Sequence, residues 1–179
     1  PLTDALCREG LARAGRSLKT VYSKGDDTSA REDMMLASLF SGLALANAGL
    51  GAVHGFAAPL GGMFDAPHGA ICARLLPIVM EANITALARR SPDSPALARY
   101  AEIARILTND PGADARQGIA WVEETCAAMR IPSLDRIGMR REDIPVLVEK
   151  AGRASSMKGN PVELAKEELA AIIDKALSE

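Results

Sequence analysis

The sequence predicts an all-α protein, a bundle of about seven to nine helices. Three observations support this. Alanine and leucine are abundant while β-branched and aromatic residues are sparse, which favours helix over sheet. No stretch alternates apolar and polar residues over the length of a convincing strand. The 179 residues, 48% of them hydrophobic, are one domain's worth of chain, so we expect a single helical domain over 1–179.

The first 50 residues predict two helices. Apolar residues recur at helical spacing between Leu11 and Tyr22, with Thr3 as a candidate N-cap and the turn 24–27 as the end of the helix. Residues 29–32, Ser-Ala-Arg-Glu, have the form of a capping box. The second helix is therefore expected to begin near Ser29 and to end at the Gly-Leu-Gly break, 49–51.

Residues 34–64 contain no Asp, Glu, Lys or Arg. This run is longer than the ~20 residues that span a bilayer. Glycines and Pro59 break this run into pieces that are too short to span a bilayer. The sequence therefore favours a second helix that is buried on all of its sides inside a helical bundle. Ser38, Gly42 and Ala46 repeat every four residues and predict a small-residue stripe on which a neighbouring helix packs closely.

The next segment predicts a short helix, a glycine-rich loop and a long helix. The short helix covers residues 52–58, and the loop covers 59–66. Pro67 suits the first position of a helix that runs toward Arg90 and is kinked at Pro77.

The C-terminal half predicts further helices separated by clear turn signals. Their expected places are a helix from Pro95, one over about 114–129, a short piece around 134–137, and helices that include 144–151 and 169–176.

Charge and cysteine content exclude several functions. The net charge of −2 and the pI of about 5.8 argue against a protein that binds nucleic acid or an anionic membrane. With 3% aromatic residues, a base-stacking surface is not expected. Cys7, Cys72 and Cys126 lie far apart and form no CxxC motif, which fits a reducing cytoplasm. No signal peptide is visible.

The two histidines of the chain, His54 and His68, flank the glycine-rich loop. A single histidine in apolar surroundings is usually a hydrogen-bonded core residue, but two that are this close in an otherwise histidine-free chain favour a shared site. His68 is expected in the first turn of a helix, where the helix dipole disfavours imidazolium and keeps the ring neutral. Neutral imidazole is a common ligand of zinc and iron.

Two histidines do not complete a catalytic metal site, which normally has at least three protein ligands. Asp65 is the nearest further candidate, but its better-supported role is to turn the loop or to cap the helix of His68. From the residues alone, half of a metal site is predicted, and no catalytic residue is assigned.

Several motifs along the chain resemble the iron-containing alcohol dehydrogenase family. The motifs are Ala30–Ser38, Gly42–Ala44, Asn47–Gly51, Val53-His54, Pro59–Gly62, Pro67–Gly69, Leu76-Pro77, Asn83, Ile131–Leu134, Ile137-Gly138, Glu142–Pro145 and Gly159–Pro161, together with Pro1–Leu6. The resemblance covers nearly the whole chain, but only the helical C-terminal domain of that two-domain family. The segment from His54 to His68 is its most specific part.

The resemblance implies a divided metal site. Intact members carry an N-terminal α/β domain that binds NAD or NADP, followed by an all-helical domain, and the metal lies in the cleft between the two domains. The ligands are one Asp and three His, of which His54 and His68 match two. The other two come from an Asp-x-x-x-His-Ala-x-Glu helix that precedes the position of Pro1. The chain therefore looks like a piece that starts after the first ligands and lacks the nucleotide-binding domain.

The implied reaction is hydride transfer between a small alcohol or carbonyl substrate and NAD(P), with Fe²⁺ or Zn²⁺ as Lewis acid. The loop that contains Gly61, Gly62, Phe64 and Asp65 would lie near nicotinamide and substrate. We expect the isolated chain to be inactive and the protein to form homo-oligomers, without nucleic-acid or membrane partners.

One position departs from the family pattern. Many members have a second histidine four residues after the first of these ligands, which relays a proton, and here that position is Ala58. This puts a simple primary-alcohol substrate in doubt. A maleylacetate reductase-like domain, which need not use metal, is the alternative within the family. A non-catalytic helical interaction module, with structural histidines, is the alternative outside it.

Overall fold

The computed structural model describes residues 2–178, which form eight α-helices and three short 3-10 turns without a strand. The all-α prediction is confirmed. The helices are α1 (Leu2–Ser23), α2 (Thr28–Ala48), α3 (Ala52–Met63), α4 (His68–Arg90), α5 (Pro95–Thr108), α6 (Ala115–Ala128), α7 (Ile144–Arg153) and α8 (Lys166–Leu177). The 3-10 turns are Leu134–Ile137, Arg141–Asp143 and Ser155–Gly159.

The helices fall into two compact units. The first unit, 2–49 and 95–129, contains α1, α2, α5 and α6. The second unit, 50–94 and 130–178, contains α3, α4, α7 and α8 and holds both histidines. That residues 1–179 form one helical domain stays a prediction.

In the first unit, α1 packs against α2 and α5, and α5 packs against α6. The approach of α1 to α5 is close at Gly15, where a Cβ would lie 3.2 Å from the carbonyl oxygen of Leu107. A similar contact between α5 and α6 occurs at Gly118, against Ala104. Small residues on α1 and α6 therefore set the helix spacing in this unit.

A buried carboxylate links α1 to α2. Asp33 is 8% exposed. It accepts hydrogen bonds from Arg16 (both 2.7 Å), Arg13 (2.8 Å) and Ser17 (2.6 Å), all on α1. The hydrogen bonds from Arg16 and then Ser17 lower the pKa of Asp33 to about 2. These hydrogen bonds supply partners for the one carboxylate that α2 buries against α1.

The starts of α1 and α2 differ from the predictions. Thr3 lies inside α1 and is not its N-cap, since the helix already includes Leu2. The N-cap of α2 is Asp27, whose side chain accepts from the backbone N–H of Ala30 at 2.9 Å, so the predicted capping box at 29–32 is wrong. A carboxylate two residues earlier caps the same first turn. The predicted ends of both helices are confirmed.

The prediction that the second helix is buried on all sides is wrong. Four residues of α2 are buried, and they are Ala30, Asp33, Ala37 and Ala44. Met35, Leu39 and Leu43 are 73%, 56% and 45% exposed. A Cβ added at Gly42, which lies in the predicted small-residue stripe, would meet no atom within 4 Å. A narrow alanine face is enough to pack on α1, and it leaves the large apolar side chains on the outer face.

The core of the second unit lies where α3 meets α4 and α7, with α8 packed on α4 and α7. Its largest fully buried side chains include Phe56, Leu60, Leu75, Leu147 and Ile173. Among residues 2–178, α4 is long and apolar enough to cross a membrane, but half of its apolar window is buried. This burial is typical of the core helix of a folded domain.

The glycine-rich segment differs most from its prediction, because α3 continues through Pro59 to Met63. Gly61 and Gly62 are therefore helical and not in a loop. Phe56 and Leu60 on this helix are fully buried. Burial of these two side chains contributes about 1.5–3 kcal/mol each, which together offsets the roughly 3 kcal/mol that a proline costs inside a helix.

The long helix begins one residue later than predicted. Pro67 is the N-cap of α4 and His68 is its first residue. No side chain caps this helix, so the capping role suggested for Asp65 is wrong. The helix runs without interruption through Pro77, and the kink there stays a prediction. The predicted start of α5 at Pro95 is confirmed.

Candidate metal centre

The first turn of α3, which carries His54, is tied by a pair of side-chain amides, the buried Asn83 and the partly buried Asn160. The Ala52 N–H donates to Asn160 Oδ1 at 3.2 Å. Asn160 and Asn83 exchange reciprocal side-chain hydrogen bonds of 2.7 and 3.1 Å, and Asn160 also donates to the Val162 carbonyl at 2.8 Å. Because His54 lies two residues after Ala52, this network holds the backbone turn that carries His54.

The structure brings the two histidines together, although they are on different helices. His54 is in the first turn of α3, and His68 is the first residue of α4. The centroids of the two rings are 5.4 Å apart, and the ring planes are inclined by 49°. His54 is half-buried and His68 is exposed, so the pair is accessible from solvent.

Cys72 joins the histidine pair, and the sequence analysis missed it. Its Sγ lies 3.4 Å from His68 Nε2 and 3.9 Å from His54 Nε2. The three donor atoms all lie within 4.8 Å of one another. The available signal was the spacing of His68 and Cys72, since residues four apart share one face of a helix. A search for CxxC motifs does not detect this arrangement.

Burial favours the neutral forms of two members of the cluster, His54 and Cys72. Burial lowers the pKa of His54, and the neighbouring His68 lowers it further. Burial raises the pKa of the Cys72 thiol. Asp65 is exposed and is not part of the cluster. Two imidazoles beside a thiol are a donor set that suits zinc or a similar transition-metal ion, so the residues fit a metal.

A face of small side chains extends from His54 along α3. At 3.6 residues per turn, His54, Ala58 and Gly61 lie on one side of the helix. Ala58, Gly61 and Gly62 are exposed, and a Cβ at either glycine would meet no atom within 4 Å. Phe64, by contrast, is partly buried against the core. The roles of Gly61, Gly62, Phe64 and Asp65 beside cofactor or substrate stay predictions.

The family described as "Fe-containing alcohol dehydrogenase family, C-terminal" matches residues 1–177 of the chain. The chain belongs to the iron-containing alcohol dehydrogenase family. The match is to the C-terminal domain of that family, as the sequence motifs indicated. Alcohol dehydrogenase 4 of Saccharomyces cerevisiae is 37% identical over 177 residues, which are 98% of this chain and 44% of the yeast protein.

Solved structures show the same relation between this chain and longer proteins. A 1,3-propanediol oxidoreductase superposes with a TM-score of 0.87 at 34% identity, covering 98% of this chain and 45% of that one. Maleylacetate reductase from Rhizobium sp. strain MTP-10005 has a TM-score of 0.74 at 24% identity over 98% of this chain and 45% of that one, which shows a shared fold alone. The chain thus spans less than half the length of its relatives.

Proposed function

We propose that this chain is the metal-holding, substrate-side part of an NAD(P)-linked dehydrogenase, with His54 and His68 as two of the metal ligands. The observation that carries the proposal is the convergence of these two rings, 5.4 Å apart, in a chain that has no other histidine. Membership of the iron-containing alcohol dehydrogenase family supports the reaction class.

In that reaction, a bound divalent metal would stabilise alkoxide charge on the substrate oxygen as a Lewis acid, and NAD(P) would carry the hydride. The residues of this chain would bind and position. Burial lowers the pKa of His54, which favours the neutral ring that can donate a lone pair to a metal. The amide network at Ala52 and the buried side chains of α3 hold that ring in place.

The small-residue face of α3 would leave room for substrate and nicotinamide beside the metal. Ala58 and Gly61 project no large side chain into this space. Ala58 also has no ionisable group, so this face offers no proton relay one turn after His54. We therefore propose a small alcohol or carbonyl substrate whose proton is exchanged by another route.

We propose that an N-terminal nucleotide-binding domain is the main partner, because relatives are more than twice as long as this chain. It would supply NAD(P) and the remaining Asp and His ligands. The exposed apolar residues of α2 favour self-association, and hence a homo-oligomer. No disulfide joins the three cysteines, which is consistent with a reducing cytoplasm.

A maleylacetate reductase-like activity is the second candidate. Ala58 favours it, because the proton-relay histidine common among the alcohol dehydrogenases is missing. Metal dependence separates the two candidates, since a metal-independent reduction would support the second. A non-catalytic interaction module with structural histidines is the third candidate. It predicts that the protein has no reductase activity and that neither histidine substitution changes the metal content.

The test is an assay of the protein translated from the entire reading frame that encodes this chain. NADH- and NADPH-dependent reduction of small carbonyl compounds, aldehydes and ketones, and the metal content would be measured for the wild type, His54→Ala and His68→Ala. We expect each substitution to lower both, activity by on the order of 100-fold or more. The chain has no third histidine as a matched control, so helicity and the thermal midpoint would verify folding. Unchanged metal content in both variants would refute the ligand roles.

A further inference from the structure

We propose that Cys72 is a third metal ligand, so that this chain by itself binds a thiophilic divalent cation and prefers Zn²⁺ to Fe²⁺. The inference rests on the proposed function in that His54 and His68 hold the metal. It adds a sulfur donor and a metal preference.

The distances suit one cation between the three donor atoms. With Zn–N of about 2.05 Å and Zn–S of about 2.3 Å, tetrahedral angles place a nitrogen and a sulfur roughly 3.6 Å apart. The observed separations of Cys72 Sγ from Nε2 are 3.4 Å for His68 and 3.9 Å for His54, on either side of that value. Both histidines direct the same ring atom, Nε2, toward the sulfur.

Hydrogen bonds and a cation use the three donor atoms differently. The thiol of Cys72 can donate its one hydrogen to one Nε2 atom, and its sulfur is a weak acceptor for an Nε2–H of the other ring, so hydrogen bonding joins the cluster through weak donors and acceptors. A cation accepts a lone pair from all three atoms, while the thiol proton leaves to solvent as the thiolate binds. A metal ion therefore uses the lone pairs of the cluster more fully than hydrogen bonds of the thiol do.

The scaffold that holds the donors is the rigid part of the second unit. His68 and Cys72 lie one turn apart on α4, and the intervening Ile71 is 1% exposed. On α3, the residues that follow His54 are equally fixed, since Phe56 is fully buried. The three donor atoms already lie within 4.8 Å of one another, so binding requires side-chain adjustment and no movement of either helix.

A sulfur ligand determines which metal the site prefers. Thiolate is a soft ligand that suits Zn²⁺, whereas carboxylate and water suit Mg²⁺ and Mn²⁺. In the usual affinity order of divalent ions, Zn²⁺ also lies above Fe²⁺. Loss of residues that only support a ligand costs about 10–100-fold in affinity, so loss of Cys72 itself should weaken Zn²⁺ binding at least that much.

The direct test is zinc X-ray absorption on the 179-residue chain loaded with one equivalent of Zn²⁺. We expect one sulfur neighbour at about 2.3 Å together with nitrogen or oxygen at about 2.0–2.1 Å. Cys72→Ser should lose the sulfur neighbour and bind Zn²⁺ at least about 10-fold more weakly. The matched control, Cys126→Ser on α6, should retain both. Absence of sulfur in the wild type, or of bound zinc, would overturn the inference.

The variants separate this inference from the proposed function. Zinc bound through nitrogen alone would overturn the role of Cys72 and leave the histidine roles intact. Unchanged zinc binding in both His54→Ala and His68→Ala would overturn both. A second measurement needs no variant: Zn²⁺ should slow alkylation of Cys72 by iodoacetamide and leave Cys7 and Cys126 unaffected. Equal alkylation rates with and without zinc would contradict the proposal.

Discussion

Replacing Asn160 with alanine should destabilise the second unit and weaken its metal site. The side chain of Asn160 makes four hydrogen bonds, to Ala52, Val162 and, reciprocally, Asn83. Asn83 is 3% exposed, so water cannot easily replace what Asn160 supplies. A net loss of about 1 kcal/mol for each backbone contact, with about 1–3 kcal/mol for the desolvated Asn83 amide, gives roughly 3–5 kcal/mol.

Urea unfolding at pH 7 measures the free energy of unfolding of the variant. The matched control is Asn47→Ala, because Asn47 is exposed and bonds only its own helix at Leu43; its effect should stay within about 0.5 kcal/mol. The double variant Asn83→Ala/Asn160→Ala should cost less than the sum of the single variants, with a coupling of about 0.5–3 kcal/mol. Strict additivity would refute the reciprocal pair, and unchanged Zn²⁺ affinity in Asn160→Ala would refute its role in positioning His54.

Three further predictions concern other parts of the chain. Asp33, with a pKa of about 2 against an ordinary 3.8, stabilises the fold above pH 3.8 and loses this effect as the pH falls toward 2. Asp33→Asn should therefore lower the unfolding free energy by about 1–2 kcal/mol at pH 7 and by much less at pH 2.5, and an equal loss at both pH values would contradict the ion pairs of Asp33 with Arg13 and Arg16. Gly159→Ala should lower the free energy of unfolding in urea by about 3 kcal/mol or more, because the added Cβ would overlap the Leu50 carbonyl. The control Gly152→Ala, in open space on α7, should be neutral or stabilising by up to about 1 kcal/mol. Similar effects of the two substitutions would disprove the contact between Gly159 and Leu50. The chain should scatter light as more than a monomer at high concentration and revert to a monomer in Leu39→Glu, on the exposed face of α2; a monomeric wild type would exclude self-association through that face.

Local signals in the sequence were sufficient for much of the fold. Pro95 begins α5 as predicted, and α6 begins where the sequence predicts it, directly after Asp114, whose carboxylate accepts from the backbone N–H groups of Arg116 and Gln117. The short piece at Leu134–Ile137 is also where the sequence predicts it. Such signals act within a few residues, so they can be recognised without knowledge of the tertiary structure.

Features that depend on tertiary packing could not be predicted in the same way. Pro59 and the glycines that follow it predicted a loop, but the burial of Phe56 and Leu60 keeps α3 helical to Met63. The absence of charge on α2 predicted a buried helix, yet an alanine face packs on α1 while Leu39 remains exposed. Composition shows that a segment is apolar, and it does not show which face finds a neighbour.

The candidate site was predicted in part. His54 and His68 were identifiable because they are the two histidines of the chain, and the structure places their rings together. Cys72 was missed because its spacing from His68 becomes informative only when both residues are assigned to one helix. The distance between its sulfur and His54 depends on how α3 packs against α4, which no local pattern encodes.

The most direct test of the central claim is a crystal of this protein grown with Zn²⁺ and measured on both sides of the zinc absorption edge. The account predicts an anomalous peak about 2.0–2.1 Å from Nε2 of both His54 and His68. Zinc bound elsewhere in the second unit, with the two rings separated and free of metal, would contradict it.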